Sequence, residues 1–353
     1  MPVRPTFDVE MIAQRLQPPV LVISTLVGRG MYTLGQAFVE RFSPDDRIEH
    51  IAVEDCLPSS AVSEDLRRYK VISSRIPVLL NLVYRVPFFY RRKYARESRD
   101  RPSDLSKMKK RIAALNPKTV LCVSHRPAFW VSTLKRRDTM GFKLWGVLGE
   151  YGNTLAWKYI FWDQMDGFLS PIAREALDYP FPQSLEFEQI ELPARRAYYG
   201  LADRMGQSQA VLLVCGYWGQ GPIIRVLQAI LAQDSELRVI VVCGESRSVL
   251  KRADAVFSSY PNVQVYGVVD SLLPFLAESS CVVTKPGIST LLEAHAARRK
   301  IFLLKGMPVA EDNNARYAIE HFGAEWFTRD TFGRWCRAHH VHRSDSLEAS
   351  LPA

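Results

Sequence analysis

The chain has 353 residues, 47% of them hydrophobic and 24% charged, with a mean hydropathy of −0.08. This composition excludes a disordered, collagen-like or disulfide-scaffold chain, and at roughly 100–200 residues per domain it allows two domains. The formal charge is +9 and is unevenly placed: Arg85 to Lys143 holds 17 Lys or Arg against 4 Asp or Glu, leaving the remainder slightly acidic.

A basic excess confined to one segment points to an anionic partner there, either nucleic acid or an acidic membrane surface. No apolar run reaches the roughly 18 residues of a membrane-spanning helix. The most apolar stretch, Ile76 to Phe89, is interrupted by Pro77, Asn81, Arg85 and Pro87. Asp8, Glu10 and Arg15 stand where the apolar core of a secretory signal would lie, so neither a signal nor a membrane span is expected. The six cysteines form no CxxC pair. Cys122, Cys215, Cys243 and Cys281 fall in apolar strand-like runs, the pattern of buried free thiols in a reducing cytoplasm.

In chain order, β-branched runs at Val20–Thr25, Glu49–Val53, Thr119–Ser124, Leu144–Leu148 and Gly167–Ser170 read as strands separated by helical stretches. The pattern restarts at Ala210–Cys215, Leu237–Cys243, Val263–Tyr266, Cys281–Thr284 and Ile301–Leu304. Several runs are apolar nearly throughout, as strands covered on both faces are. Alternation with helices implies right-handed βαβ units and parallel sheets, so the expected class is α/β with two doubly wound domains. The expected boundaries are 1–185 for a first domain, 186–207 for a polar linker, 208–328 for a second domain and 329–353 for a final helix and tail. His339, His340 and His342 lie in that tail and read as part of a solvated end, so no metal site is expected.

Ligands of parallel α/β sheets bind at the carboxyl ends of strands, which directs attention to three turns. Ser24 to Met31 carries Gly28 and Gly30 before a helix, where free N–H groups favour anions. Thr33 stands where the third glycine of a dinucleotide fingerprint would be, so tight packing explains this turn as well as phosphate does. Cys215 to Pro222 carries Gly216, Gly219 and Gly221 before a second helix. The run Val282 to Ala294 ends a strand in Lys285-Pro286-Gly287 and opens a helix with Ser289 and Thr290 as candidate caps. Glu293, one turn further on, is either a capping-box carboxylate or an acceptor for the two hydroxyls of a ribose.

The runs TKPGISTLLEA and GMPVAEDNNARY resemble the donor-binding half of the monogalactosyldiacylglycerol synthase and processive diacylglycerol glucosyltransferase family, similar to glycosyltransferase family 28. The resemblance spans roughly residues 18 to 325. It implies a GT-B fold of two Rossmann-like domains facing one cleft, with the acceptor on the first and a UDP-sugar mainly on the second. It further implies that Glu293 holds the ribose, that Gly287 and Ser289 form the phosphate-side loop, and that Gly216, Gly219 and Gly221 form the glycine-rich turn; Lys285 and Thr290, in the same run, are expected donor contacts beside them. Glu311 and Asn314 match sugar- and phosphate-facing positions, Val268 and Val269 the uracil-holding segment. Glu150 and Trp157 align with the family's acidic residue and Trp of the acceptor half.

Met31 stands where the family has His, Glu150 where it has Asp, Ile288 where it has a second Gly, and Ala310 where it has Gln. These departures leave open a relative with altered catalysis that binds a UDP-sugar, or one that glycosylates another acceptor; a sugar-nucleotide epimerase is a third reading.

The expected activity is inverting, metal-independent hexose transfer from a UDP-sugar to a lipid hydroxyl, with Glu150 as the base and no cofactor beyond the donor substrate. Tyr69 to Tyr94 interleaves apolar and aromatic side chains with cations. Tyr84, Arg85, Phe88, Phe89, Arg91 and Arg92 are the expected contacts with an anionic membrane surface and lipid acceptor, beside Trp157. An amphipathic helix packed on the sheet is the alternative for this stretch. No nucleic-acid motif accompanies the charge, so a nucleic-acid partner is not expected. The expected location is cytoplasmic, at the inner face of the cell membrane.

Overall fold

A computed structural model describes residues 15–42, 46–56, 105–202, 210–306 and 310–348. By contacts the chain divides into two compact units. The first is Met1–Arg196 with Met307–Asn314, and the second is Ala197–Gly306 with Ala315–Ala353.

The first unit holds β1 (Val20–Ser24), β2 (Ile48–Ala52), β3 (Thr119–Val123), β4 (Lys143–Val147), β5 (Gly167–Ser170) and β6 (Glu186–Gln189) in one sheet. Their order is β2-β1-β3-β4-β5-β6 and every pairing is parallel. β1 and β3 are buried at every residue, which is why they read as unbroken apolar runs. Helix α1 (Gly30–Val39) lays Leu34, Ala37 and Phe38 on the sheet at helical spacing. Helix α2 (Ser106–Leu115) does the same with Met108, Ile112 and Leu115. Helix α3 (His125–Asp138) buries Ala128, Val131 and Leu134. Lys135, Arg136 and Arg137 lie in its last turn, where cations offset the helix dipole.

The second unit repeats the plan with β7 (Ala210–Val214), β8 (Val239–Val242), β9 (Val263–Tyr266), β10 (Ser279–Thr284), β11 (Lys300–Leu303) and β12 (Glu325–Trp326). The order is β12-β11-β10-β7-β8-β9, again parallel throughout. Between the strands run α5 (Ile223–Leu231), α6 (Arg247–Phe257), α7 (Leu273–Ala277) and α8 (Ile288–Ala296); α4 (Arg196–Tyr199) precedes them, α9 (Ala310–His321) and α10 (Arg329–Glu348) follow. In α5, Ile223, Val226, Leu227, Ile230 and Leu231 form the buried stripe. Phe332 and Cys336 of α10 sit in the same core as β7 and β8, so the expected C-terminal helix is part of the second unit. The side chains of His339, His340 and His342 lie outside the described residues.

The ten expected strands are present, with ends shifted by a residue or two. The expected linker, 186–207, needs correction: it contains β6 and α4, and the contact boundary falls after Arg196. Arg174 explains why this polar stretch is ordered. Its guanidinium donates to the carbonyls of Pro182 and Leu185 at 2.8 and 2.7 Å and lies over the Phe187 ring at 4.7 Å. Arg15 pairs with Glu186 and Glu188 of β6, each at 3.1 Å.

All six cysteines are buried and unpaired by disulfides. Among the described residues no helix is long and apolar enough to cross a membrane.

Candidate functional site

A doubly wound sheet binds ligands where the strand order reverses, because the helices on the two sides of that point part and open a crevice. In the first unit the reversal lies between β1 and β3; in the second it lies between β7 and β10. The residues that follow these strands are the candidates in each unit.

After β1, Gly28 and Arg29 both adopt left-handed backbone, φ 67° and 61°, just before α1. No described atom lies within 4 Å of a Cβ built on Gly28, so this face of the turn is open. Its other face is held by Glu54, a residue the sequence reading passed over. The Glu54 carboxylate is 5% exposed and accepts from the Thr25 hydroxyl at 2.6 Å and the Leu26 N–H at 2.9 Å. It also lies 3.9 Å from Arg126 at the start of α3. One buried acid thereby ties the segments that follow β1, β2 and β3. Its only sequence signal was an acidic residue directly after a strand.

After β3, Ser124 takes φ 110°, a conformation costly for a side chain-bearing residue. Its hydroxyl is buried and has no hydrogen-bond partner among the described residues. His125 follows, with its ring 6.0 Å from that of Trp157. Trp157, expected at an acceptor surface, is 3% exposed and packs edge-on against Phe168 at 4.8 Å. The structure gives it a core role instead.

After β4 comes Glu150, and its loop is tightly held. The Tyr151 N–H donates to Asn314 Oδ1 at 3.0 Å. The Asn153 amide donates to the Tyr179 carbonyl at 2.6 Å and accepts from the Tyr179 N–H at 3.3 Å. A Cβ on Gly152 would overlap the Asn313 side chain, so glycine is what lets α9 approach here. Met31 packs behind the loop: a Cβ on Gly149 would lie 2.5 Å from its Sδ. Burial first, and then the Glu311 carboxylate, push the Glu150 carboxyl up to about 8. Glu311 is 7% exposed and Asn314 fully buried. Both were expected to face the donor together with residues of the second unit. By contact they group with the first unit, and the Asn314 oxygen accepts from the Tyr151 N–H.

In the second unit the three glycines after β7 differ in kind. Gly219, at φ 63°, is packed so closely on the Cys243 carbonyl that any Cβ would clash with it. A Cβ on Gly221 would press on the Cys215 thiol at 2.8 Å. Packing therefore accounts for both. Gly216, at φ 71°, has, among the described residues, only Lys285 Cε nearby, at 4.0 Å from a built Cβ, so the β7 and β10 turns meet at the reversal point. Helix α8 is capped by Gly287, without a side-chain cap bond. Ser289 and Thr290 thus lie inside its first turn, which corrects the capping expectation and removes the capping-box reading of Glu293. Glu293 is 5% exposed on the next turn. Val268 and Val269 follow β9, two strands from β7; Val268 is 53% exposed.

The basic segment is less free than its composition implied. Lys109 pairs with Asp138 at 3.0 Å, Lys135 with Asp166 at 2.8 Å, and Arg111 with Glu49. Tyr84, Arg85, Phe88, Phe89, Arg91 and Arg92 lie outside the described residues. Among the described residues no group of three His, Cys, Asp or Glu could hold a metal ion.

No family model matches the chain. The processive diacylglycerol beta-glucosyltransferase of Bacillus thuringiensis (strain Al Hakam) is 22% identical over 325 residues, spanning 89% of this chain and 82% of that protein. Among solved structures, Acinetobacter baumannii MurG aligns with a TM-score of 0.52 at 11% identity, covering 91% of this chain and 90% of the other. The S. aureus MnaA–UDP structure aligns with a TM-score of 0.51 at 9% identity, covering 90% and 86%. These likenesses establish a GT-B fold, two Rossmann-like doubly wound parallel-sheet halves. The chain resembles the processive diacylglycerol glucosyltransferases over most of its length.

Proposed function

We propose that the chain is a UDP-sugar-dependent glycosyltransferase that moves a hexose to a hydroxyl of a diacylglycerol-like lipid, by one inverting displacement at a membrane surface. The observation that carries the proposal is Glu150: a tethered, half-buried carboxyl at the carboxyl end of β4 whose proton affinity is raised to about 8. Such a carboxylate is a stronger base than an exposed one, suited to taking the proton of an alcohol as its oxygen attacks the anomeric carbon. The bond from that carbon to the diphosphate breaks as the new one forms, and UDP leaves with the electron pair. Gly216, Lys285 and the N-terminus of the nine-residue α8 would balance the diphosphate without a bound metal. Glu293 would accept the ribose hydroxyls, and the exposed Val268 beside Val269 would receive the uracil.

The resemblance to a diacylglycerol glucosyltransferase supports the lipid acceptor, and the interleaved basic and aromatic stretch supports work at the inner face of a membrane. The UDP bound in a protein of the same fold supports the donor. One observation favours a second reading. Met31, an uncharged thioether in place of the family's histidine, packs against Gly149, the residue before Glu150. That change fits a relative with altered catalysis or with another acceptor.

The test is purified Glu150→Ala against wild type, with UDP-glucose, UDP-galactose and UDP-N-acetylglucosamine and diacylglycerol in mixed micelles. Transfer lost with UDP affinity retained is the expected result. Full activity in the variant removes Glu150 from the role. UDP-sugar binding by the wild type without transfer supports the second reading, and absence of UDP-sugar binding refutes both.

A further inference from the structure

A base must be aimed as well as basic, and the Glu150 carboxyl has no partner of its own to aim it. Among the described residues it makes no hydrogen bond and no ion pair. Its direction is therefore set by the backbone of its loop and by the rotamers that this backbone allows.

That backbone is held on both sides of Glu150. Before it, Gly149 lies against α1: a Cβ there would meet Met31 Sδ at 2.5 Å and Leu34 Cδ2 at 3.1 Å. After it, the Tyr151 N–H donates to Asn314 Oδ1 at 3.0 Å, across 163 residues of chain. Further on, Asn153 and Tyr179 exchange hydrogen bonds of 2.6 and 3.3 Å. The Asn314 bond has a particular consequence for Glu150. The Tyr151 N–H lies in the same rigid peptide plane as the Glu150 carbonyl, so fixing its direction fixes ψ of Glu150. Asn314 is fully buried and Tyr151 is 6% exposed, so the bond is sheltered from competing water.

Asn313 supports the same contact sterically. A Cβ on Gly152 would overlap its amide nitrogen and lie 2.7 Å from its Cγ and 3.0 Å from its Cβ. Gly152 is not among the glycines with left-handed backbone, so the lack of space, and not its φ, excludes a side chain there.

We propose that Asn314 is a positioning residue for Glu150: by holding the peptide that joins Glu150 to Tyr151, it fixes the direction in which the carboxyl meets the acceptor hydroxyl. The inference rests on the reading of Glu150 as the base. It gives Asn314 a role other than the sugar or phosphate contact that the resemblance implies.

The first test is Asn314→Ala, assayed with the same three UDP-sugars and diacylglycerol in mixed micelles. A base displaced by about 1 Å costs up to about 100-fold, so kcat falls by about 10–100-fold. The Kd for UDP, measured by isothermal titration calorimetry, stays within about twofold of wild type. Weakened UDP binding with kcat unchanged is the signature of a donor contact and would overturn the proposal. A second set of variants leaves Asn314 in place. Gly152→Ala forces the start of α9 off the loop and lowers kcat by about tenfold, whereas Asn313→Ala alone keeps wild-type activity. Combining the two leaves only the 3.0 Å contact to Cβ and restores most of kcat. A loss in Gly152→Ala that Asn313→Ala does not relieve would place the effect in the loop itself and overturn the proposal.

A further readout needs no activity. In Asn314→Ala the Tyr151 amide exchanges its hydrogen about tenfold faster or more, while the Leu148 amide, bonded to the Leu169 carbonyl at 2.9 Å, keeps its protection. Unchanged exchange at Tyr151 would overturn the proposal. Wild-type turnover with kcat unchanged in Asn314→Ala refutes the positioning alone. A wild type that turns over no UDP-sugar refutes Glu150 as the base, and the role of Asn314 falls with it.

Discussion

Gly219 and Gly28 share a left-handed backbone, φ 63° and 67°, yet alanine at the two positions meets different surroundings. At either site the conformation alone costs alanine about 1 kcal/mol. At Gly28 nothing more is added, since no described atom lies within 4 Å of the new methyl. At Gly219 the methyl would overlap the Cys243 carbonyl, and the β8 turn would have to retreat by about 1 Å, a displacement typical of overpacked interiors that cost 1–3 kcal/mol. The retreat also strains the Glu245 N–H to Tyr217 carbonyl bond of 2.8 Å that joins the two turns, worth about 1 kcal/mol. The total is about 3–5 kcal/mol for Gly219→Ala against about 1 kcal/mol for Gly28→Ala. In differential scanning calorimetry, at about 2–4 °C per kcal/mol for a unit of this size, the first lowers the midpoint of the second unit by roughly 6–20 °C. The second shifts the first unit by roughly 2–4 °C. Equal shifts for the two variants would refute the division into a packing glycine and an open one.

Three further outcomes follow from the same geometry. The folded Glu150 carboxyl titrates near 8 against 4.5 for an ordinary glutamate, so the folded state holds the extra proton between those values. Stability therefore falls as pH rises through that window, by on the order of 2–4 kcal/mol given partial exposure, and Glu150→Gln flattens the dependence; parallel urea midpoints for variant and wild type from pH 5 to 9 would contradict it. Glu54→Ala leaves the Thr25 hydroxyl and Leu26 N–H without their acceptor and costs about 2–4 kcal/mol, whereas Glu54→Gln, retaining one oxygen, costs about half; a loss below about 0.5 kcal/mol in urea unfolding would show the contacts to be incidental. Replacing Arg85, Arg91 and Arg92 together with Ala weakens binding to phosphatidylserine vesicles by about 1 kcal/mol per charge, and salt weakens the wild type in the same assay. Equal wild-type binding to neutral vesicles at high salt would remove the electrostatic attraction.

Local pattern carried the parallel α/β plan. A strand covered on both faces must be apolar along its length, and that requirement is written in consecutive residues such as Val20–Ser24 and Ala210–Val214. Of the four edge strands, β6 and β12 escaped for the complementary reason. Glu186–Gln189 is half open to solvent and held by Arg15 and Arg174, and Glu325–Trp326 is two residues long; neither has the apolar run by which an interior strand is recognised. The start of α8 was misplaced because the backbone of Gly287, not the hydroxyls of Ser289 and Thr290, makes its cap.

The site divides along the same line. Residue type at strand ends marked Lys285, Glu293 and the glycine turns as candidates, and the resemblance of its segment marked Glu150. What those residues touch was decided by the tertiary structure. Gly219 is required by the carbonyl of Cys243 on the next strand, and Glu54 reaches Leu26 across 28 residues. The Glu150 loop is tied to Asn314 across 163 residues. A side chain's burial, partners and proton affinity depend on groups distant in the chain. Sequence therefore marked the acid after β4 as a candidate, and folding determined its burial and its proton affinity.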